Sequence, residues 1–345
     1  MNDILKDKMK TMDGKRLVIA ELNKKGVFNS AKETMDGGIA GMTPSNIVMP
    51  AGIATKITAD LVRIITRKRT ADEIIGSRKK LGNFEQENLL IRNLEQLGET
   101  KPYTDKDNAP VVSLNLGFIS AGHYRFSTKA QPGALESAQM ALANISNEAE
   151  QYAAALETLA IEFNNTAFYG STKVTGNDQV YGILNNPSLA PYKTATSTTA
   201  DTTFKTFFAD VRALIGDVIT KAKGWATTDS TMVIGIANSR AMNFSLVNEF
   251  GQTVEEVLKK TFKNLKIVNS PELDKAYNGQ DVMICRFENT EAANVAETAV
   301  LGFSEIAMAS RIVQYETFSS QKFSSGSFGT IVYKPYMISR SFFAS

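Results

Sequence analysis

Few residues in this chain are of a type and spacing that could do chemistry. Its 345 residues include one His, His123, and one Cys, Cys285. His123 could act as a general base, but it lies in Ala121-Gly-His-Tyr-Arg125, a stretch that reads as strand, with no evident partner. Cys285 falls in an apolar strand and reads as a small buried hydrophobe. One soft ligand of each kind is too few for a usual zinc or iron site. There is no phosphate loop of the Gly-x-x-x-x-Gly-Lys-Ser/Thr type and no Gly-x-Ser-x-Gly elbow. Gly235-Ile-Ala-Asn-Ser follows a strand and precedes a helix, as a phosphate site would, yet it lacks the second and third glycines. It reads instead as a helix start capped by Asn238 or Ser239. No catalytic, cofactor-binding or metal-ligating residue is therefore assigned, although the scarcity of His and Cys leaves Asp, Glu or Lys chemistry open. What remains is charge: Arg63, Arg67, Lys68 and Arg69, then Arg78, Lys79 and Lys80, and the loop lysines Lys101 and Lys106. For any one of them a solvated face is the plainer reading, because exposed ion pairs contribute little and salt screens them.

Composition narrows the classes further. With 38 basic and 36 acidic residues the charges nearly cancel, which does not suit a general nucleic-acid binder, and 43% hydrophobic residues suffice for two domains with real cores. One Cys excludes an internal disulfide framework and is compatible with a reducing compartment. Residues 1–25 are crowded with Lys, Asp and Glu rather than a secretory apolar core, and nowhere do eighteen apolar residues run together. The expectation is a soluble protein made inside the cell, with no membrane partner.

The elements that would position these residues differ in how much core they could build. Residues 1–55 pass from a charged piece into Asp36-Gly-Gly-Ile-Ala-Gly-Met-Thr-Pro44, without periodicity, and read as an arm that gains order by lying on something else. Residues 56–75 read as a short amphipathic helix. Over 76–131 the pattern turns extended: Val112, Leu114, Leu116 and Phe118 alternate with Ser113, Asn115 and Gly117, and a partner strand within 84–97 across the polar stretch 98–110 predicts a long β-hairpin. Glycines 76, 98, 117, 122 and 133 flank or interrupt it as joints or as turns and bulges. From Pro132 to Gly170 one unbroken helix is expected, because Gly and Pro are absent between 134 and 169 and Leu135, Ala138, Leu142, Ile145, Ala149, Tyr152, Leu156, Leu159 and Phe163 form one seam. It would be roughly 50 Å long. An α/β unit follows, with helices at 203–223, 239–250 and 254–263 and strands at 231–237, 266–269 and 281–286. Strand-like sequence from 299 to 343 closes the chain, with Gly and Ser breaks near 324–329. No internal repeat is present.

Loose arm, long hairpin, long helix, compact α/β unit and closing strands come in an order that resembles the major capsid proteins of tailed bacteriophages, a fold shared with encapsulin shells and the herpesvirus capsid floor. The likeness to a phage and prophage branch rests on Arg69-Thr-Ala-Asp-Glu-Ile-Ile-Gly76, Thr100-Lys-Pro-Tyr-Thr-Asp105, Phe168-Tyr-Gly170, Tyr181-Gly-Ile-Leu-Asn-Asn-Pro187 and Ser270-Pro-Glu-Leu-Asp274. It covers nearly the whole chain after about residue 35.

The resemblance implies an α+β capsid fold. Residues 1–55 would be an N-terminal arm, 76–131 an extended loop reaching over an adjacent subunit, 132–178 the spine helix of a peripheral domain, 179–299 an axial domain, and 300–345 the closing strands of the peripheral domain. The implied function is a non-enzymatic shell of pentamers and hexamers around double-stranded DNA. A scaffolding protein and a portal would be its partners, a decoration protein an optional one, and the virion, assembled in the bacterial host cytoplasm, its location. Arg67, Lys68, Arg69, Arg78, Lys79, Lys80, Lys101 and Lys106 become candidates for contact with acidic patches on neighbouring subunits or, weakly, with packaged DNA. Some relatives join a hairpin lysine to an asparagine of a neighbour, but no motif here carries that chemistry onto Lys101 or Lys106. An encapsulin-like compartment is the alternative within the fold. Outside it stand an oligomeric α/β enzyme with a site in 179–299 and a tail-tube or other filament protein.

Overall fold

The computed structural model describes residues 68–103, 105, 110–142, 145–171, 179–198, 202–288 and 297–344. The expected arm, most of the expected helix over 56–75 with Arg63 and Arg67, and Lys106 lie outside the described residues. At the end of that helix, α1 (Ala71–Ile74) is a single turn whose Ala71 and Ile74 are buried.

The first sheet joins β1 (Arg78–Lys80), β4 (Tyr124–Ala130), β9 (Ala299–Ala309), β10 (Val313–Gln314) and β11 (Ser319–Val332). β11 is central, antiparallel to β9 on one side and to β4 on the other, while β1 lies parallel to β9. The Gly and Ser residues at 324–329 do not end a strand. They make irregularities within β11, where the register to β9 shifts between Ser324 and Gly329.

The second sheet has the order β5 (Lys193–Ala195), β12 (Ile338–Phe343), β8 (Val282–Glu288), β6 (Thr231–Ala237), β7 (Leu265–Ser270). β6 and β8 are near-continuous apolar runs because both faces are covered. One face takes α4 (Phe204–Lys221), which sets Phe207, Val211, Leu214 and Val218 against Met232, Ile234, Cys285 and Phe287. The other meets Ile74, Phe163 and Phe168 through Val233, Ile284 and Ile338. α4 and α5 (Val254–Thr261) both start on capping boxes, Thr203 with Thr206 and Thr253 with Glu256. Three expectations need correction here. Residues 338–343 do not close the first sheet with the rest of 300–345 but pair with β8 and β5 in the second. The helix expected at 239–250 is a 3-10 helix over Asn238–Ser245. Neither Asn238 nor Ser239 caps it, because Ser239 turns its hydroxyl to Asp281 at 2.9 Å and its backbone N–H to Asp274 at 3.0 Å.

The single long helix is two: α2 (Ala134–Ala141) and α3 (Asn147–Tyr169). No Gly or Pro breaks them. Ser146, in extended conformation, caps α3 by accepting from the backbone N–H of Ala149 at 3.5 Å, and buried Asn147 reaches back to Ser137 at 3.2 Å. Ser and Asn favour such caps over helix interior, and Glu148 and Glu150 suit the first turn of a new helix. The buried stripe of α3 is Ala155, Leu159, Phe163 and Ala167, at steps of four. Leu135, Leu142 and Leu156 of the expected seam are exposed. Gly170 ends α3 as expected, at φ +68°.

Candidate assembly interface

β2 (Asn88–Leu97) and β3 (Ser113–Gly122) form a sheet of their own, paired over ten positions from Asn88 opposite Gly122 to Leu97 opposite Ser113. Since β1 and β4 belong to the first sheet, the hairpin proper is 88–122, shorter than the 76–131 expected. Residues 113–118 are exposed on both sides of the strand. Opposite residues of an antiparallel pair share a face, so Leu114, Leu116 and Phe118 line up with Leu90 across the ladder, all exposed; Leu114 is 65% and Phe118 59% accessible. The alternation predicted a strand of a long hairpin, and the strand is there with its apolar face exposed. That face lies on a two-stranded ribbon that would be marginal alone.

The base of the ribbon is held firmly. His123 occupies the single residue between β3 and β4, not a strand interior as expected. Its Nδ1 lies 2.7 Å from the backbone O of Gln86, which can only accept, so Nδ1 carries the proton and Nε2 accepts from Ser304 Oγ at 2.9 Å. The ring stacks on Phe328 at 4.5 Å. A Cβ at Gly326 would collide with His123 Nε2 and Ser304 Oγ, which is why the irregular part of β11 carries glycine. Burial holds the imidazole below its ordinary range; the Gln86 bond opposes this and the nearby Arg125 charge adds to it. Arg125 in turn donates to the carbonyls of Phe84, Glu85 and Gln86 at 2.7 to 3.1 Å. His123 is thus a linchpin, with both nitrogens engaged, and the hydroxyl beside it, Ser304 Oγ, is fully buried. Cys285 is fully buried, and burial pushes its thiol far up. Among the described residues no group of three His, Cys, Asp or Glu side chains could hold a metal ion.

The five basic candidates from Lys68 to Lys80 are engaged within the chain. Lys68 pairs with Glu73 at 3.5 Å and Arg69 with Glu157 at 2.5 Å. Arg78 grips Asp72 with two nitrogens, each at 2.6 Å, and lies over the Phe163 ring. Lys79 pairs with Glu297 at 3.1 Å, and Lys80 with Glu305. These carboxylates neutralise most of the positive cluster that a neighbour or a polyanion would meet. Lys101 is exposed near the hairpin tip, and Arg67 and Lys106 lie outside the described residues.

The sequence model of one family, described as Pa193 gp26 major capsid protein, matches residues 40–342. The chain belongs to that family. A comparison with curated proteins returns no match. In fold the capsid protein is similar to the capsid of Myoviridae phage XM1, with a TM-score of 0.69 at 13% identity over 84% of this chain and 97% of that one. It is also similar to the capsid of an empty GTA particle (0.56, 9%, 84% and 95%) and to a structure of Gordonia phage Cozz (0.54, 9%, 92% and 98%).

Several motifs behind the resemblance have structural jobs in the capsid protein. Glu272, 3% accessible, accepts from Ser270 Oγ at 2.8 Å, Thr70 Oγ1 at 3.3 Å and Asn164 Nδ2 at 2.7 Å, while its backbone O takes the Tyr169 hydroxyl at 2.6 Å. The segments at 69–76, 168–170 and 270–274 are tied together there, around a buried carboxylate satisfied by donors. Loop 181–187 meets the end of α3, whose last carbonyls accept from Ile183 and Leu184 at 3.0 Å. Arg340 of β12, buried, donates to the carbonyls of Ile183, Leu184, Leu189 and Ala190 and packs over Tyr192 at 4.4 Å. Sequence reasoning missed Glu272, Asn164 and Arg340: a motif covers the segment of Glu272, none covers Asn164 or Arg340, and none shows that these distant segments converge.

Proposed function

We propose that copies of this capsid protein assemble, through rings of five and six, into an icosahedral shell around the double-stranded DNA of a tailed phage or prophage. The observation that carries this reading is the ribbon β2–β3, which holds Leu90, Leu114, Leu116 and Phe118 in solvent with no core of its own. Such a face is stable when a neighbouring copy covers it, and obligate interfaces of this kind bury on the order of 2,000 to 5,000 Å². Within that shell the second sheet with α4 and α5 is the axial domain, and the first sheet with α3 the peripheral one. The role is structural rather than enzymatic. The virion is its location, assembly takes place in the host cytoplasm, and a scaffolding protein and a portal are its partners. DNA contact is weak and independent of sequence, as befits a chain of net charge +2 whose basic cluster is internally paired.

The test is to express the chain and examine the soluble fraction by negative-stain electron microscopy and light scattering. Closed shells, or rings of five and six, are expected. A small monodisperse species at every concentration would sink the reading. Shells filled with one foreign protein and no DNA would move it to a cargo compartment.

A further inference from the structure

The ribbon joins the body through two connections, and one side chain pins both. Residues 81–87 lead from β1 into β2, and His123 alone separates β3 from β4. The first connection is folded on itself, with Gln86 Oε1 accepting from the backbone N–H of Asn83 at 3.0 Å. Its Gln86 carbonyl is gripped twice, by His123 Nδ1 at 2.7 Å and by Arg125 at 3.0 Å. Across the ring, Nε2 holds Ser304 of β9, and the ring face lies on Phe328 of β11. The foot of the ribbon, Leu89, Ile91 and Ala121, packs with Val300, Phe328 and Ile331, whereas residues 113–118 beyond it are exposed. The ribbon is a lever fixed at one end, and the fixing runs through a titratable ring.

A second proton on that ring has no place in the closed root. Nδ1–H already serves Gln86, so the proton must go to Nε2, where Ser304 donates. Ser304 would then have to turn its hydroxyl elsewhere in a site closed to water. The charged groups on the surrounding elements give the imidazolium no counter-ion. β3 carries none, nor does β11 from Gly326 to Phe328. Glu85 and Glu87 of the connection are exposed, Glu305 of β9 is paired with Lys80 of β1, and Arg125 of β4 is itself a cation. Burial disfavours the proton most, the Gln86 bond offsets part of this, and Arg125 adds to burial. Open to water, the ring regains its ordinary 6.5. As pH falls through that value the open root takes up the proton before the closed one, so opening becomes easier until the closed ring protonates too.

We propose that the root of the ribbon is a proton-operated hinge: neutral His123 clamps the ribbon to the first sheet, and protonated His123 releases it while both sheets stay folded. The hinge belongs to the single chain and stands or falls independently of the shell reading.

The test uses the full chain at a concentration where it is monomeric. Spin labels on Ser113→Cys in the ribbon and Lys322→Cys in the first sheet, both exposed positions, report the distance between lever and body. The native Cys285 is buried and stays unlabelled. One narrow distance distribution is expected at pH 7.5, and a second, broad population should grow reversibly on acidification, by up to about tenfold per pH unit below 6.5. In the unlabelled chain Cys285 should remain closed to thiol reagents throughout, which shows that the second sheet stays folded. The chain's one histidine gives one imidazole resonance, and its titration midpoint should coincide with the loss of the narrow distribution. His123→Gln cannot titrate and should give one distribution at both pH values, whether closed or open. A ring that titrates with the ribbon still in place would overturn the hinge. So would a His123→Gln chain that loosens with pH as the wild type does, or Cys285 becoming reactive in step with the ribbon, since the whole fold would then be opening.

Discussion

β8 buries Val282, Met283, Ile284, Cys285 and Phe287 beyond the reach of water, whereas β3 holds Leu114, Leu116 and Phe118 out in it. The first strand sits third in a five-stranded sheet covered on both faces, the second in a ribbon of two. Each Leu or Phe left exposed forgoes about 1.5–3 kcal/mol. The body of the chain therefore draws its stability from within, and the ribbon is built to complete its core on another molecule. Folding and assembly should be separable by mutation.

The widest separation is expected from Leu114→Ser, Leu116→Ser and Phe118→Ser together. Losing three interface side chains should raise the concentration needed for assembly roughly a thousandfold or more, while surface substitutions of this kind change monomer stability by about 0.5 kcal/mol or less each. Light scattering reads the first quantity and urea unfolding the second. Shells forming at the wild-type concentration would show that the ribbon is not an adhesive. The converse change is Phe207→Ala, where Phe207 contacts Phe244 and Phe343 in the fully buried core under α4. It should cost about 3–5 kcal/mol of unfolding free energy. If it instead weakened assembly with the fold untouched, the division between the two regions would fail.

Sequence and structure agree where information is local. β6 spans 231–237 as read, because a short apolar run bounded by Ser230 and Asn238 has few alternatives. β3 was visible in its alternation, but which face meets water depends on the missing third strand, and alternation is blind to that. The break in the long helix is written in Ser146 and Asn147, residues that act as caps, and the absence of Gly and Pro does not reveal it. The destination of β12 is not encoded locally: Ile338 pairs with Arg286 and Phe342 with Val282, across more than fifty residues of chain. The same holds for charge. A basic run from Arg78 to Lys80 is plain in the sequence, but Glu297 and Glu305 reach it only because β1 lies beside β9.

The seam between the two regions has its own probe, because His123 at the ribbon base is the chain's only histidine. Its folded-state pKa is depressed by burial below the ordinary 6.5. Above that pH both states are neutral and stability is full. As pH falls through it the unfolded chain takes up the proton first, so stability declines, by at most about 1.4 kcal/mol per pH unit, until the folded state protonates too. Asp217, Asp281 and Glu297 are shifted down instead, from ordinary values of 3.8 to 4.5, so their contributions are lost only at lower pH. Urea midpoints should therefore fall between about pH 7 and pH 5 in the wild type and much less in His123→Gln. Equal declines would mean that another group titrates, and that the base of the ribbon is insensitive to this ring.

The smallest effect is expected where the sequence looked most interactive. Lys80 and Glu305 are each about half exposed, so water screens their ion pair and Lys80→Ala should cost no more than about 1 kcal/mol. Assembly and its salt dependence should be unchanged, because the charge removed was already neutralised inside the chain. A shift in either would mean that Lys80 leaves Glu305 for a neighbour or for DNA when the shell forms. The basic strand would then belong with the ribbon, as a part of the molecule that finds its partner only outside its own chain.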